Sequence, residues 1–127
     1  MKLFHGVDLV EVSRIACMLE KHGDEFINRC FTEAEQSMSN VSSDATRTQR
    51  YAARYAAKEA ILKALGTGLA GGINWVDVSV ERNEGPPTII LTGEAARISN
   101  SLGIDTWHVS LSHTDTMAMA SVIGVGA

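Results

Sequence analysis

The sequence predicts an α+β fold in which a mainly antiparallel sheet packs against one long helix and several shorter ones. Three observations predict it. Segments rich in β-branched and apolar residues alternate along the chain with segments of helical periodicity. Two of the former, WHVSLSHT (107–114) and MAMASVIGV (117–125), lie so close together that they must return on each other as a hairpin. The third is the Gly85-Pro86-Pro87 turn between VDVSVER (76–82) and TIILT (88–92), which again favours antiparallel pairing.

Each element has a local reason. Residues 2–12 read as a strand because apolar and β-branched residues dominate. Ser13 is the expected N-cap of a first helix running to about Lys21 and ended by Gly23. Thr32 followed by Glu35 forms a capping box for a short second helix. SNVSSDATRTQ (39–49) is polar and rich in Ser and Thr, and is expected to be an exposed, mobile connection. The long helix covers roughly 47–65 and stops at Gly66. Strands are expected over 76–82, 88–92, 107–114 and 117–125, with a helix over GEAARISNSLG (93–103) between the second and third of them.

A chain of 127 residues suits one domain over 1–127, with a modest core and room to bury further apolar surface between subunits. The net charge of −4 removes the global basic field that general nucleic-acid binding needs. No apolar run reaches membrane length, and MKLFHGVDLVEV is too interrupted by His5, Asp8 and Glu11 for a secretion signal. Cys17 and Cys30 lack metal-ligand spacing and are expected as reduced core thiols. The expectation is a soluble cytoplasmic protein.

Chemistry enters on the first strand. Phe4, Gly6, Asp8, Val10 and Val12 share one face, and Leu3, His5, Val7, Leu9 and Glu11 the other. A carboxylate among apolar neighbours must be paired with an Arg or a backbone amide, or must hold a metal. Gly6, on the same face, lets another group approach. In YAARYAAKEAILKALGTG (51–68), Tyr55, Glu59 and Lys63 lie along one helix edge, where Glu59 and Lys63 have the spacing of an ordinary ion pair. Arg54 and Lys58 are one turn apart and read as a solvated basic edge. Gly66-Thr67-Gly68 is either a glycine C-cap or a turn that wraps a phosphate with its amides and hydroxyl. One Asp and one Glu without His or Cys suit Mg2+, which completes its shell with waters or a diphosphate.

The stretches GVDLVEVSRI (6–15), CFTEAEQ (30–36), YAARYAAKEAILKALGTG (51–68) and HVSLSHTDTMAMASVI (108–123) together resemble the bacterial holo-acyl-carrier-protein synthases of the 4′-phosphopantetheinyl transferase superfamily. The resemblance spans nearly the whole chain in order and spacing. It implies transfer of the phosphopantetheine arm of coenzyme A to a serine of apo acyl carrier protein, with release of adenosine 3′,5′-bisphosphate, in fatty acid biosynthesis. It implies Mg2+ on Asp8 and Glu59, the diphosphate at Lys63, and the phosphates of coenzyme A at Gly66, Thr67 and Gly68. Arg54 and His113 fall near the nucleotide, and Arg14 and Lys21 on the surface that docks the carrier. The base that takes the serine proton is left open, with Glu59 and a metal-bound water as candidates. A homotrimer with sites between subunits is also implied, with no nucleic acid and no membrane as partners.

Two departures stand out. Glu20, Asp24 and Glu25 dilute the basic docking surface, and the Gly-Pro-Pro turn lacks the lysine often found there. Two other functions use the same residues: a Mg-dependent hydrolase of coenzyme A or a related diphosphate, and a binding module without catalysis.

Overall fold

The computed structural model describes residues 1–41, 43–82 and 84–127. Strands β1 (Lys2–Glu11), β4 (Ile104–His113) and β5 (Met117–Gly126) form one antiparallel sheet in the order β1-β5-β4. Strands β2 (Val78–Glu81) and β3 (Thr88–Leu91) form a separate antiparallel pair. Helices α1 (Val12–Cys30), α2 (Glu33–Ser39), α3 (Asp44–Leu65) and α4 (Gly93–Ser101) complete the order, and α3 lies across the inner face of the larger sheet. The α+β expectation holds, and so do both antiparallel pairings.

Alternation along β1 follows the sequence. Phe4, Gly6, Asp8 and Val10 turn inward, while Leu3, Val7 and Leu9 stay exposed on the outer face. Contact between sheet and helix is unusually close at Gly6. A Cβ built there would lie 1.9 Å from the carbonyl oxygen of Ala60 on α3. On β5, the inward residues Ala118 and Ala120 are equally small.

Several boundaries differ from expectation. Ser13 is not a cap: α1 begins at Val12, whose amide bonds instead to the carbonyl of Thr116 in the β4–β5 turn. With that first amide already satisfied by the hairpin, no side-chain cap is made. Gly23 does break α1, at φ 50° and ψ −126°, but the chain resumes helix over 24–30 and buries Phe26, Ile27 and Cys30. Cys17 is exposed on α1, so only Cys30 is a core thiol, and burial raises its pKa.

The Ser/Thr-rich stretch 39–49 is mostly structured. Ser43 accepts from the Thr46 amide and starts α3 at Asp44, while Asn40 accepts from Arg47 and from the Tyr51 hydroxyl. Ser42 lies outside the described residues. Loop-like composition here reflects capping, since Ser and Thr bond to backbone at helix starts. Residues Trp75–Asp77 form a single 3-10 turn rather than strand, and β4 starts three residues earlier than expected, with an irregularity between Ile104 and Thr106.

The capping box is present: Glu35 N donates to Thr32 Oγ1 at 3.2 Å and Thr32 N to Glu35 Oε1 at 2.9 Å. Glu35 also pairs with Lys58 Nζ at 2.6 Å, and both side chains are 0% exposed. Arg54 is buried too, so the expected solvated basic edge is overturned. The sheet covers one side of α3 while α1, α2 and β2 cover others, leaving little of the helix in water. Burial lowers the pKa of Lys58 and the Glu35 carboxylate pulls it back up. Removing one partner strands the other charge in the core. Lys58→Met alone is therefore expected to destabilise the fold by about 3–5 kcal/mol, read as a lower urea midpoint; an unchanged midpoint would show that Glu35 is satisfied by amides alone.

Candidate active site

Asp8 and Glu59 arrive from different elements. Asp8 points inward from β1 two residues after Gly6, and Glu59 comes from the turn of α3 that Gly6 admits. They are close enough that the charge on Asp8 adds to burial in raising the pKa of Glu59, against the opposing charges of Lys63 and Arg14. Lys63 does not pair with Glu59 as its spacing suggested. Its Nζ donates to Asp8 Oδ1 at 2.9 Å and to the Val7 carbonyl at 3.1 Å, and the hydrogen bond to Asp8 raises its pKa. The Lys63 side chain is 54% exposed, whereas Asp8 is only 14% exposed. An ammonium on a mobile stem thus rests beside a carboxylate pair.

These donors fit Mg2+. Two neighbouring carboxylates repel each other until a cation lies between them, and a hard cation takes oxygen ligands. Among the described residues there is no cluster of three or more His, Cys, Asp or Glu side chains. Two carboxylates alone would make a partial shell, which suits a metal that shares its ligands with phosphates or water.

Beyond Lys63 the helix closes on Gly66 at φ 78°, a left-handed conformation that favours glycine. The amides of Gly66 and Thr67 bond back to carbonyls of α3, so the glycine C-cap reading is correct for them. What the turn can present to a phosphate is the Thr67 hydroxyl, now on the Gly68 carbonyl at 3.0 Å, together with the Gly68 amide.

Arg54 and His113 do meet. Both line a cleft of about 480 Å³ with Arg50, Arg82, Met38 and Pro87. Among the described residues no carboxylate lines it. The Arg54 guanidinium is nearly covered, and its Nε has no hydrogen-bond partner among the described residues. Burial, with Arg50 and Arg82 nearby, lowers its pKa, and Glu35 pulls it back. Three guanidiniums and an imidazole around one opening suit an anion with several oxygens.

Sequence reasoning missed Arg50 and Arg82. The first was findable, one turn before Arg54 on the same helix face. The second was not, because it reaches the cleft only through the fold. Its Nε donates to the Gly85 carbonyl at 3.0 Å, which returns a cation to the turn that lacks a lysine.

Arg14 and Lys21 lie on the first half of α1. Arg14 is drawn to Tyr55, with Nη2 at 3.5 Å from the hydroxyl and the guanidinium 5.5 Å from the ring centroid. It therefore borders the carboxylate pair as well as the surface of α1. Lys21 remains exposed. Nearby, residues of α1 on both sides of the break at Gly23 line a second cavity of about 270 Å³, with Met18, Glu25, Phe26 and Arg29 facing Tyr55 and Trp75.

Comparison with known proteins identifies the family. The family model described as ACPS, 4′-phosphopantetheinyl transferase superfamily, matches residues 5–117. A holo-[acyl-carrier-protein] synthase of Koribacter versatilis is 46% identical over 124 residues, covering 97% of this chain and 98% of that protein. Among solved structures, a holo-(acyl-carrier-protein) synthase from Bacillus anthracis in complex with CoA (3′,5′-ADP) superposes with a TM-score of 0.79. It is 31% identical, with 98% of this chain and 96% of that chain covered. The ACPS–CoA complex of Chronobacterium ammoniagenes gives a TM-score of 0.84 at 28% identity, covering 100% of this chain and 99% of that one. The chain belongs to the 4′-phosphopantetheinyl transferase superfamily, in its holo-acyl-carrier-protein synthase family.

Proposed function

We propose that the chain transfers the 4′-phosphopantetheine group of coenzyme A to a serine of apo acyl carrier protein, releasing adenosine 3′,5′-bisphosphate, in cytoplasmic fatty acid biosynthesis. The observation that carries this reading is the meeting of Asp8, Glu59 and Lys63 where β1 touches α3. The serine oxygen forms a bond to the phosphorus that bears pantetheine, and the bridging oxygen of the diphosphate leaves with the nucleotide. Asp8 and Glu59 would hold Mg2+, which supplies charge neutralisation and polarises the phosphorus. Lys63 turns from Asp8 to the diphosphate and balances charge on the leaving oxygen. Glu59 is placed to take the serine proton directly or through water. The Thr67 hydroxyl and the Gly68 amide hold the phosphate tail. Phosphoryl transfer asks mainly for position and charge, which so few side chains can supply.

The guanidinium cleft takes the nucleotide end. On a helix of 100° per residue, Arg54 lies about 140° around α3 from Glu59, so one chain carries the carboxylates and the guanidiniums on different flanks. A head-to-tail ring sets one copy's carboxylates beside the next copy's cleft, and three copies make the proposed homotrimer. The exposed apolar outer face of the sheet, with Leu3 65% and Leu9 61% exposed and Val7, Met119 and Ile123 beside them, supplies a surface for that contact. Light scattering on a sizing column is expected to return about three times the 13.6 kDa chain mass; a monomer would remove the ring. Arg14, Lys21 and the cavity beside Phe26 and Trp75 are the proposed carrier dock. Among the described residues no helix is long and apolar enough to cross a membrane, and residues 1–127 are read as one domain.

The test is the intact mass of an apo acyl carrier protein after incubation with the enzyme, coenzyme A and Mg2+, with EDTA as control. A metal-dependent gain of one phosphopantetheine is expected. Cleaved coenzyme A with an unmodified carrier would favour a hydrolase, and intact coenzyme A with an unmodified carrier a binding module.

A further inference from the structure

Glu35 and Lys58 do not touch the site, yet they stand in two of the most distinctive stretches of the chain, CFTEAEQ and YAARYAAKEA. Their burial is complete and their bonding is wide. Besides its bond to Glu35 Oε1, Lys58 Nζ donates to the Trp75 carbonyl at 3.1 Å and to the Val78 carbonyl. Glu35 Oε1 accepts from the Thr32 amide at 2.9 Å and Oε2 from the Val80 amide at 2.9 Å. The network ties the start of α2, the Trp75–Asp77 turn and β2 to one point on α3.

Why α3 needs such a point follows from its composition. Ala52, Ala53, Ala56, Ala57, Ala60 and Ala64 are buried along it, and the sheet offers Gly6, Ala118 and Ala120 in return. Along this strip small residues against small residues allow close approach with little relief, although the larger Tyr51, Ile61, Leu62 and Leu65 of α3 are also buried. Ala56, Ala60 and Ala64 repeat at one turn, so a shift of α3 by that step sets alanine where alanine was. By itself such a strip holds the layers together while doing little to fix the helix along its axis. A buried ion pair with defined partners does fix it, and setting register is the best-attested use of buried polar groups. Lys58 immediately precedes Glu59, and Lys63 follows one turn later. Because α3 is one continuous helix, whatever fixes Lys58 against α2, the Trp75–Asp77 turn and β2 also constrains where Glu59 and Lys63 stand.

We infer that Glu35 and Lys58 are positioning residues for the cation site, setting the register of α3 against β1 so that Glu59 meets Asp8. The inference rests on the metal reading given under Proposed function. It is tested by titrating Mn2+ into the metal-free protein, followed by the free-ion electron paramagnetic resonance signal, for the wild type and for Glu35→Gln/Lys58→Met. The double variant removes both charges together, so it is expected to fold, because a buried pair replaced as a unit leaves no stranded ion. Its Mn2+ affinity is expected to fall by about 10-fold or more, the scale for groups that orient metal ligands. In the transfer assay the KM for Mg2+ should rise in parallel while kcat at saturating Mg2+ changes far less.

A merely structural pair would shift the urea midpoint and leave the Mn2+ affinity of the folded protein as it was. That result would overturn the inference while leaving the metal reading intact. A wild type that fails to bind Mn2+ would overturn both. Should the double variant not fold, Lys58→Arg, which keeps a cation for Glu35 but changes its reach, is read by the same Mn2+ criterion.

Discussion

Gly6→Ala is expected to unfold much of the protein's stability margin and to remove its cation site together. A Cβ at residue 6 would lie 1.9 Å from the Ala60 carbonyl oxygen, 2.8 Å from its carbon and 3.0 Å from the Ala64 nitrogen. All three are backbone atoms of α3, so no rotamer change relieves the clash; the helix must move off the strand. Overpacking a core costs about 1–3 kcal/mol where side chains can yield, and a clash with helix backbone belongs at the upper end or beyond. For a chain of this size, 3 kcal/mol lowers Tm by roughly 10–15 °C. Separation of α3 from β1 also parts Glu59 from Asp8. Urea denaturation and Mn2+ titration together check this, since the folded fraction that remains should bind Mn2+ poorly. A stable variant with normal Mn2+ binding would show that β1 and α3 are not in the contact described.

The same position shows what the sequence made legible. Alternation alone sets Asp8 and Gly6 on one face of β1, because a period of two needs no knowledge of the partner, and the fold makes that face the inner one. Glycine at the end of α3 and the Thr32–Glu35 capping box were read from residues three or four apart, and both are present. The fold class followed from a hairpin and a turn that are equally local.

Readings failed where the deciding partner is distant in sequence. Lys58 looked solvated because a lysine beside a glutamate on a helix usually is. Its acid is Glu35, 23 residues away, and that carboxylate had already been given a local task as a cap. One side chain doing both jobs leaves no trace in periodicity. Lys63 was drawn to Glu59 by spacing, but Asp8 wins because β1 brings it, and the Val7 carbonyl, to the same ammonium. Arg82 holds the nearby Gly85 carbonyl, but the cleft it lines is closed by Arg50, Arg54 and His113, which only the fold brings to it.

Glu59→Gln is expected to abolish transfer while making the metal-free protein more stable, and the opposition of those effects is the diagnostic. Activity should fall by about 100-fold or more, the scale for losing one preorganised electrostatic group, because an amide keeps the volume of Glu59 but not its charge. Stability moves the other way for a separate reason. Burial and the neighbouring Asp8 carboxylate raise the pKa of Glu59 above the ordinary glutamate value of 4.5. The native state therefore binds this proton more tightly than the unfolded chain does. Its ionised form opposes folding at every pH above the raised folded value, and that opposition is relieved as pH falls through the folded value to about the unfolded one. Metal-free wild type should accordingly gain stability from this group just above the ordinary glutamate range as the solution is acidified. The glutamine variant lacks that component and should show the higher urea midpoint at neutral pH. Added Mg2+ should reverse the order, because the cation stabilises the wild-type carboxylate pair and finds only Asp8 in the variant. Matched urea titrations with and without Mg2+ decide the point: a variant less stable than wild type in EDTA would mean that Glu59 is held by a partner other than a metal.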